Sequence, residues 1–150
     1  MSSHHVAGEP TDRWQTLARI ASVLYAALLG VLLLTMDPFG MLGASGSSLQ
    51  VASKTTAGSM LQHLTAYVFL PPLLYAAEWR KDAPLRAAVI IALVHGTIFE
   101  GLQHFVPGRY ADWYDVLANA GGIAIGTAAV CVFIEASRSN RTQCRPTGDA

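Results

Sequence analysis

Four separate apolar segments, each about as long as one crossing of a lipid bilayer, dominate the chain. They cover roughly residues 16–36, 60–77, 85–105 and 113–135. A membrane-spanning α-helix needs about 20 apolar residues, because the hydrocarbon layer is about 30 Å thick. Hydrophobic residues make up 52% of the chain and charged residues only 13%, a balance typical of integral membrane proteins. The sequence therefore predicts an all-α fold, an integral membrane bundle of four transmembrane helices.

One membrane domain and two tails account for the chain. We predict a flexible cytoplasmic tail at residues 1–12, a four-helix membrane domain at residues 13–136, and a second flexible cytoplasmic tail at residues 137–150. The first apolar segment follows basic residues, as in a signal peptide, but it is long and no small-residue cleavage site directly follows it. We therefore interpret it as a retained helix. The Gly-, Ser- and Thr-rich loop at residues 37–59 has no assigned role.

The basic residues are distributed unevenly between the two predicted sides of the membrane. Eight of the ten lie before the first segment, between the second and third, or after the fourth, and only Lys54 and Arg109 lie on the other side. Cytoplasmic loops of membrane proteins are enriched in Lys and Arg, so both termini are predicted to be cytoplasmic. The loop that contains Arg109 then faces outward. The formal net charge of zero argues against nucleic acid as a partner.

Polar residues are concentrated around the connection between the third and fourth segments. Such groups are costly in lipid, so they must meet one another, water or a ligand. Three of them on the third helix are spaced i, i+3 and i+4, and three on the fourth are spaced i, i+3 and i+7, so each set can share a helix face. We predict a ligand-binding pocket, open to the outside, that is lined by Glu100, Gln103, His104, Arg109, Asp112, Asp115, Asn119, His63 and Tyr67.

Arg109 is the expected partner of one carboxylate in this pocket. A carboxylate in apolar surroundings stays ionised when a cation pairs with it, and arginine can do so through two parallel hydrogen bonds. The sequence favours a pair with Asp115 or with Glu100. An alternative stays open, in which the polar residues only lock the helices together through buried contacts.

Metal binding and nucleophilic catalysis are poorly supported by the spacing of these residues. Glu100, His104, His63 and Asp115 are suitable zinc ligands, but Glu-x-x-x-His is neither of the usual helical metal motifs. No Gly-x-Ser-x-Gly motif is present, and both cysteines fall on the predicted cytoplasmic side. We predict no metal and no cofactor, and we assign no catalytic residue. Binding is favoured over catalysis, although paired carboxylates can act as acid and base.

Three further features of the helices are interpreted as structural. His95 lies deeper in the third helix and is interpreted as a hydrogen-bonded core histidine. Gly122 and Gly126 form a small-xxx-small pattern, which favours close packing within the bundle over dimerisation. Pro71 and Pro72 lie in mid-helix, where neighbouring helices can satisfy the freed backbone groups.

The order and spacing of these motifs resemble the VanZ-like family over roughly residues 60–130. The motif residues are His63 and Tyr67, then Glu100, Gln103, Phe105, Pro107, Gly108 and Arg109, then Asp115, Asn119, Gly122 and Gly126. The resemblance implies a small multi-pass protein of the bacterial inner (cytoplasmic) membrane with about four helices. Members often carry an Asp-Lys pair ahead of the histidine on the second helix, where this chain has Ser59 and Met60. The family is named after a protein linked to teicoplanin resistance.

Two functions of different classes follow from these observations. In the first, the protein binds, or protects against, an amphiphilic ligand at the outer leaflet: a membrane lipid, a lipid-linked cell-wall precursor or a lipoglycopeptide antibiotic. In the second, it is an accessory or assembly subunit of a larger bacterial membrane protein complex. The polar cluster is then mainly structural, and Trp113, Tyr110 and Tyr114 are interface anchors.

Overall fold

Four α-helices make up the computed structural model, which describes residues 10–35, 55–78, 82–107 and 112–143. The helices are α1 (Pro10–Leu34), α2 (Thr56–Ala76), α3 (Pro84–Gln103) and α4 (Trp113–Gln143). The described residues contain no β-strand. The prediction of an all-α fold of four helices is therefore confirmed.

The four helices alternate in direction, so their termini meet at two ends of the bundle. At one end, the side-chain amide of Gln103 in α3 donates to the carbonyl of Leu33 in α1 over 3.1 Å. At the same end, Ser59 near the start of α2 donates to Asp115 near the start of α4 over 2.9 Å. We call this the polar end of the bundle, because α1 and α3 finish there and α2 and α4 begin there with polar side chains.

The opposite end joins the start of α1 to the end of α2. The guanidinium Nε of Arg19 donates to the carbonyl of Ala77 over 3.1 Å, and Gln15 donates to the carboxylate of Glu78 over 2.7 Å. The arginines whose side chains the structure describes all lie in this half of the bundle: Arg13, Arg19, Arg86 and Arg138. We call it the arginine end.

The central helix of the bundle is α2, which packs most extensively against α4. A Cβ atom added at Gly122 would overlap the carbonyl oxygen of Leu64, and one added at Gly126 would overlap that of Val68. The two backbones approach this closely only because glycine has no side chain. The prediction that this pattern packs within the bundle is confirmed. The two prolines are accommodated inside α2, which continues to Ala76.

Large apolar side chains are exposed on the outer faces of α1, α3 and α4, including Leu24, Ile98 and Phe133. Residues Arg13–Leu34, Pro84–Gln103 and Trp113–Asn140 are each long and apolar enough to cross a membrane. The 21-residue α2 is also long enough but is not among these three, because polar residues and two prolines lower its hydropathy. Most of the exposed large apolar side chains belong to the other three helices, so the hydrophobic surface left for lipid is mainly theirs.

Two boundaries differ from the sequence prediction. Helix α1 begins at Pro10, and α4 continues to Gln143, into the segment predicted as a tail. At 31 residues, α4 is about 46 Å long, more than the hydrocarbon layer requires. Its last turns therefore extend beyond the other helices at the arginine end. The predicted tails at residues 1–9 and 144–150 and most of the loop 37–59 lie outside the described residues.

Candidate functional site

Buried polar side chains from three helices lie at the polar end of the bundle. They are His63 from α2, Glu100 and Gln103 from α3, and Asp115 and Asn119 from α4. The exposed faces around them are apolar, so this cluster is enclosed within the bundle rather than presented to lipid. The sequence spacing predicted that these five residues would share the interior.

Asp115 connects α4 to two residues of α2. Its Oδ2 accepts a hydrogen bond from the Ser59 hydroxyl over 2.9 Å and lies 3.5 Å from Nε2 of His63. Both partners are on one face of α2, since they are four residues apart. A carboxylate near the start of a helix is also stabilised by the positive end of the helix dipole. Asp115 is therefore held by two side chains of α2 and by the dipole of its own helix.

His63 lies between Asp115 and Asn119, and its contacts restrict where its protons can be. Nδ1 is 3.0 Å from the amide oxygen of Asn119, which can only accept, so Nδ1 carries a proton and donates it. Nε2 then faces the carboxylate of Asp115. That second contact is attractive only when a further proton lies between the two groups, on Nε2 or on the carboxyl. The His63–Asp115 contact therefore joins α2 to α4 within the cluster.

Glu100 links the end of α3 to the start of α4. Its Oε1 accepts the backbone N–H of Asp112 over 3.0 Å, and the Oδ1 of Asp112 accepts the N–H of Tyr114 over 3.0 Å. Asp112 is therefore the N-cap residue of α4, and its carboxylate is used in capping. Glu100 satisfies the backbone N–H of that cap residue from a neighbouring helix.

Gln103 is almost fully buried, and its two polar atoms have different environments. Its Nε2 donates to the last turn of α1 through the carbonyl of Leu33. Its Oε1 is buried and accepts no hydrogen bond from any described residue. The same holds for the Oδ1 atom of Asp115 within the described part of the chain. The cluster therefore contains two buried acceptor atoms that are open to a donor.

Four of the predicted site residues are not part of this buried cluster as described. Asp112 is half-buried and caps α4. His104 is exposed at the end of α3. Tyr67 is buried, but its hydroxyl is 2.8 Å from Nδ1 of His95, deeper in the bundle. Arg109 lies outside the described residues, so its predicted pairing with a carboxylate stays a prediction.

His95 has the structural role that the sequence predicted. Its Nε2 is 3.0 Å from the carbonyl of Ala26, so this nitrogen carries the proton and donates it. Its Nδ1 then accepts from the hydroxyl of Tyr67. The chain Tyr67–His95–Ala26 connects α2, α3 and α1. Both ring nitrogens are satisfied, which explains a histidine in the middle of an apolar helix.

Ser59 belongs to the cluster but was missed as a site residue. The available signal was its spacing, since Ser59, His63 and Tyr67 recur every four residues on α2. The partner of Gln103 could not be found in this way, because a backbone carbonyl carries no sequence signature. It depends on where α1 ends relative to α3.

The arrangement favours hydrogen bonding over metal coordination or nucleophilic attack. Among the residues described, no group of three His, Cys, Asp or Glu side chains could hold a metal ion. The Ser59 hydroxyl donates to Asp115 rather than to His63, so the histidine is not placed as a general base on this serine. The geometry provides a buried set of carboxylate, amide and imidazole groups that can form hydrogen bonds with polar groups.

Comparison with known proteins identifies the family. No curated protein and no solved structure matches the chain. The sequence model of the VanZ/LLP1 family matches residues 9–134, which include all four helices up to the last turns of α4. The match covers most of the chain and agrees with the resemblance carried by the polar motifs. This membrane protein therefore belongs to the VanZ/LLP1 family.

Proposed function

We propose that this protein binds the polar head group of an amphiphilic molecule at the outer leaflet of the bacterial inner membrane. The ligand classes that fit are a membrane lipid, a lipid-linked cell-wall precursor or a lipoglycopeptide antibiotic. The observation that carries the proposal is the buried polar cluster from three helices at one end of an otherwise apolar bundle. A head group would enter the polar end while its acyl chain lay against the apolar helix faces.

The orientation of the proposed site follows from the distribution of charge. The arginines with described side chains lie at the opposite end from the cluster. Because basic residues are retained on the cytoplasmic side, the arginine end and both termini would face the cytoplasm. The polar end would then face the outer leaflet, where a cell-wall precursor or an antibiotic is met.

The cluster contains hydrogen-bond acceptors that are not used to hold the helices together. A lock would be most stable with every buried acceptor paired, because an unpaired buried acceptor costs roughly 1–3 kcal/mol. Oε1 of Gln103 and Oδ1 of Asp115 have no hydrogen-bond partner among the described residues. Ionisable groups inside a membrane bundle commonly mark a ligand or proton site. These two features support binding over a purely structural role.

Exposed aromatic side chains surround the proposed entrance. Phe105, Trp113 and Tyr114 are all exposed at the polar end, at the boundary between the end of α3 and the start of α4. Aromatic residues prefer the membrane–water interface, which is the depth at which a lipid head group lies. In this proposal Arg109 engages an anionic group of the ligand, as its position in the sequence predicts.

The test is purification of the full chain from native membranes in mild detergent, with mass spectrometry of everything that co-purifies. A stoichiometric lipid or precursor, lost in the Glu100→Gln variant but retained in Thr97→Val, is the expected result. Thr97 is a suitable control because its exposed hydroxyl bonds only to Leu93 of its own helix. A lone protein without bound amphiphile would refute the proposal, and a stoichiometric protein partner would favour an accessory subunit.

The cellular counterpart is protection against a lipoglycopeptide. Expression in a susceptible bacterium is expected to raise the minimum inhibitory concentration, and Glu100→Gln is expected to abolish the effect while the protein remains in the membrane. Unchanged protection in a correctly inserted Glu100→Gln variant would contradict a role for the cluster in that protection.

A further inference from the structure

The polar end presents buried hydrogen-bond acceptors, and this restricts the chemistry of what can bind there. Oε1 of Gln103 and Oδ1 of Asp115 are buried acceptors without a partner in the described part of the chain, in residues only 1% and 4% exposed. An acceptor in this state is satisfied only by an N–H or O–H group. Another acceptor, such as a phosphate oxygen, would be repelled by both atoms.

The donors carried by the same groups are already used inside the protein. Nε2 of Gln103 donates to the carbonyl of Leu33, and the hydroxyl of Ser59 donates to Asp115. Nδ1 of His63 donates to Asn119. Each of these bonds joins two helices, so none is free to turn toward a ligand without loosening the bundle. At Oε1 of Gln103 and Oδ1 of Asp115 themselves, a ligand therefore meets hydrogen-bond acceptors.

The two open acceptors lie on either side of one inter-helix contact. Gln103 is three residues beyond Glu100 on α3, and Asp115 is three residues beyond Asp112 on α4. Glu100 and Asp112 are joined directly by a hydrogen bond of 3.0 Å. The acceptors therefore flank the α3–α4 junction at the polar end, each about one helical turn from it.

The local charge favours the same class of ligand. Two carboxylates, Glu100 and Asp115, are buried at this end, while the described arginines lie at the other. An anion placed directly against the two open acceptors would add to the negative charge, whereas a donor group would complement it.

We infer that the α3–α4 junction recognises a hydrogen-bond-donating head group, a primary ammonium or a hydroxyl, through Gln103 Oε1 and Asp115 Oδ1. The inference rests on the proposed function and specifies the part of the ligand that these two atoms contact. The donor group itself can come from an amine or from a sugar.

The test compares three lipids with identical acyl chains on the full-length protein by native mass spectrometry. Phosphatidylethanolamine carries N–H donors, monogalactosyl diacylglycerol carries O–H donors, and phosphatidylcholine has the same phosphate as the first lipid but no donor. At least one donor lipid is expected to bind about tenfold more tightly than phosphatidylcholine. The reason is that a buried acceptor left without a donor costs about as much free energy as a tenfold change in affinity. Preference for the first identifies an amine as the source, and preference for the second identifies a hydroxyl.

Two variants of one residue separate recognition from folding. Gln103→Met removes both the acceptor and the bond to Leu33, and it is expected to reduce the donor-lipid preference to within about twofold of phosphatidylcholine. Gln103→Glu keeps an acceptor and is expected to retain the preference, while Thr97→Val is expected to behave as the unmodified chain. Loss of preference in both Gln103 variants would point to the Leu33 bond and overturn the assignment of Oε1.

The outcomes also distinguish this inference from the function on which it rests. Equal binding of all three lipids, still reduced by Glu100→Gln, would overturn donor recognition but leave an amphiphile site. Binding of none of the three would overturn donor recognition of these lipids, whereas the proposed function is overturned only if the protein purified from native membranes also holds no amphiphile.

Discussion

At the scale of single residues, the cluster consists of side chains that each hold two helices together. His63 is the clearest case, because one ring nitrogen contacts Asn119 and the other faces Asp115, and all three residues are buried. Spacing on the sequence predicted that these residues would meet. It did not predict Ser59 as a second partner of Asp115 beside His63, since serine in an apolar helix is common and carries no charge that must be compensated.

Replacement of His63 by glutamine is expected to destabilise the bundle. Glutamine cannot keep both ring contacts, so a buried acceptor on Asp115 or Asn119 loses its partner at a cost of roughly 1–3 kcal/mol. The measurement is the midpoint of unfolding in mixed detergent and SDS micelles. His104→Gln is the matched control, because that histidine is exposed and its replacement is expected to change stability by less than about 0.5 kcal/mol. Equal midpoints for the two variants would mean that the His63 contacts add nothing.

Tyr67 was predicted to line the ligand pocket, and the described contacts give it a structural role at a deeper level. Tyr67→Phe removes the hydroxyl that donates to Nδ1 of His95 and leaves that nitrogen buried without its donor. The expected loss of stability is roughly 0.5–2 kcal/mol, the range found for hydrogen bonds in membrane proteins. Tyr114→Phe, at an exposed tyrosine, is the control in the same unfolding assay. A Tyr67→Phe variant as stable as its control would show that the hydroxyl contact is dispensable.

At the scale of helices, the sequence predicted the long apolar helices but not the residues at which they end. The four segments and their order were predictable, because a bilayer fixes the length of an apolar helix. The end of α3 at Gln103 was not, nor was the exposure of His104 beside the buried Glu100 and Gln103. The extension of α4 to Gln143 was also missed, because polar residues beyond the membrane can continue a helix as readily as form a tail.

The contact between α2 and α4 is where a single methyl group is expected to matter most. Gly122→Ala places a Cβ against the backbone of Leu64 and within 2.9 Å of the Tyr67 Cβ, so the helices must separate. The expected loss is about 1–3 kcal/mol, typical of overpacking. Gly121→Ala is the adjacent control, because its Cβ would meet only the Leu64 side chain at 3.8 Å. If both variants unfold at the same midpoint, the close approach of α2 and α4 is wrong.

At the scale of the whole molecule, charge and polarity are separated along the bundle. The described arginines lie toward one end, and the buried acids, amides and histidine lie toward the other. The predicted orientation in a membrane rests on the first pattern, and the proposed ligand site rests on the second. Both patterns were readable from the sequence, because each depends only on which residues share an end of a helix. The individual hydrogen-bond partners could not be predicted from the sequence, since they depend on how the helices are shifted relative to one another along the bundle axis.

The predicted orientation can be tested by the reaction of single cysteines with a membrane-impermeant reagent in intact cells. In a Cys131→Ser background, the native Cys144 is expected to react with a membrane-impermeant maleimide only after permeabilisation, because the C-terminal tail is predicted to be cytoplasmic. With Cys144→Ser added, Ser48→Cys in the loop 37–59 is expected to react without permeabilisation. The permeabilised sample controls for intrinsic reactivity at each position. The reverse pattern would place the polar end in the cytoplasm, where a head group of the outer leaflet could not reach Gln103 or Asp115.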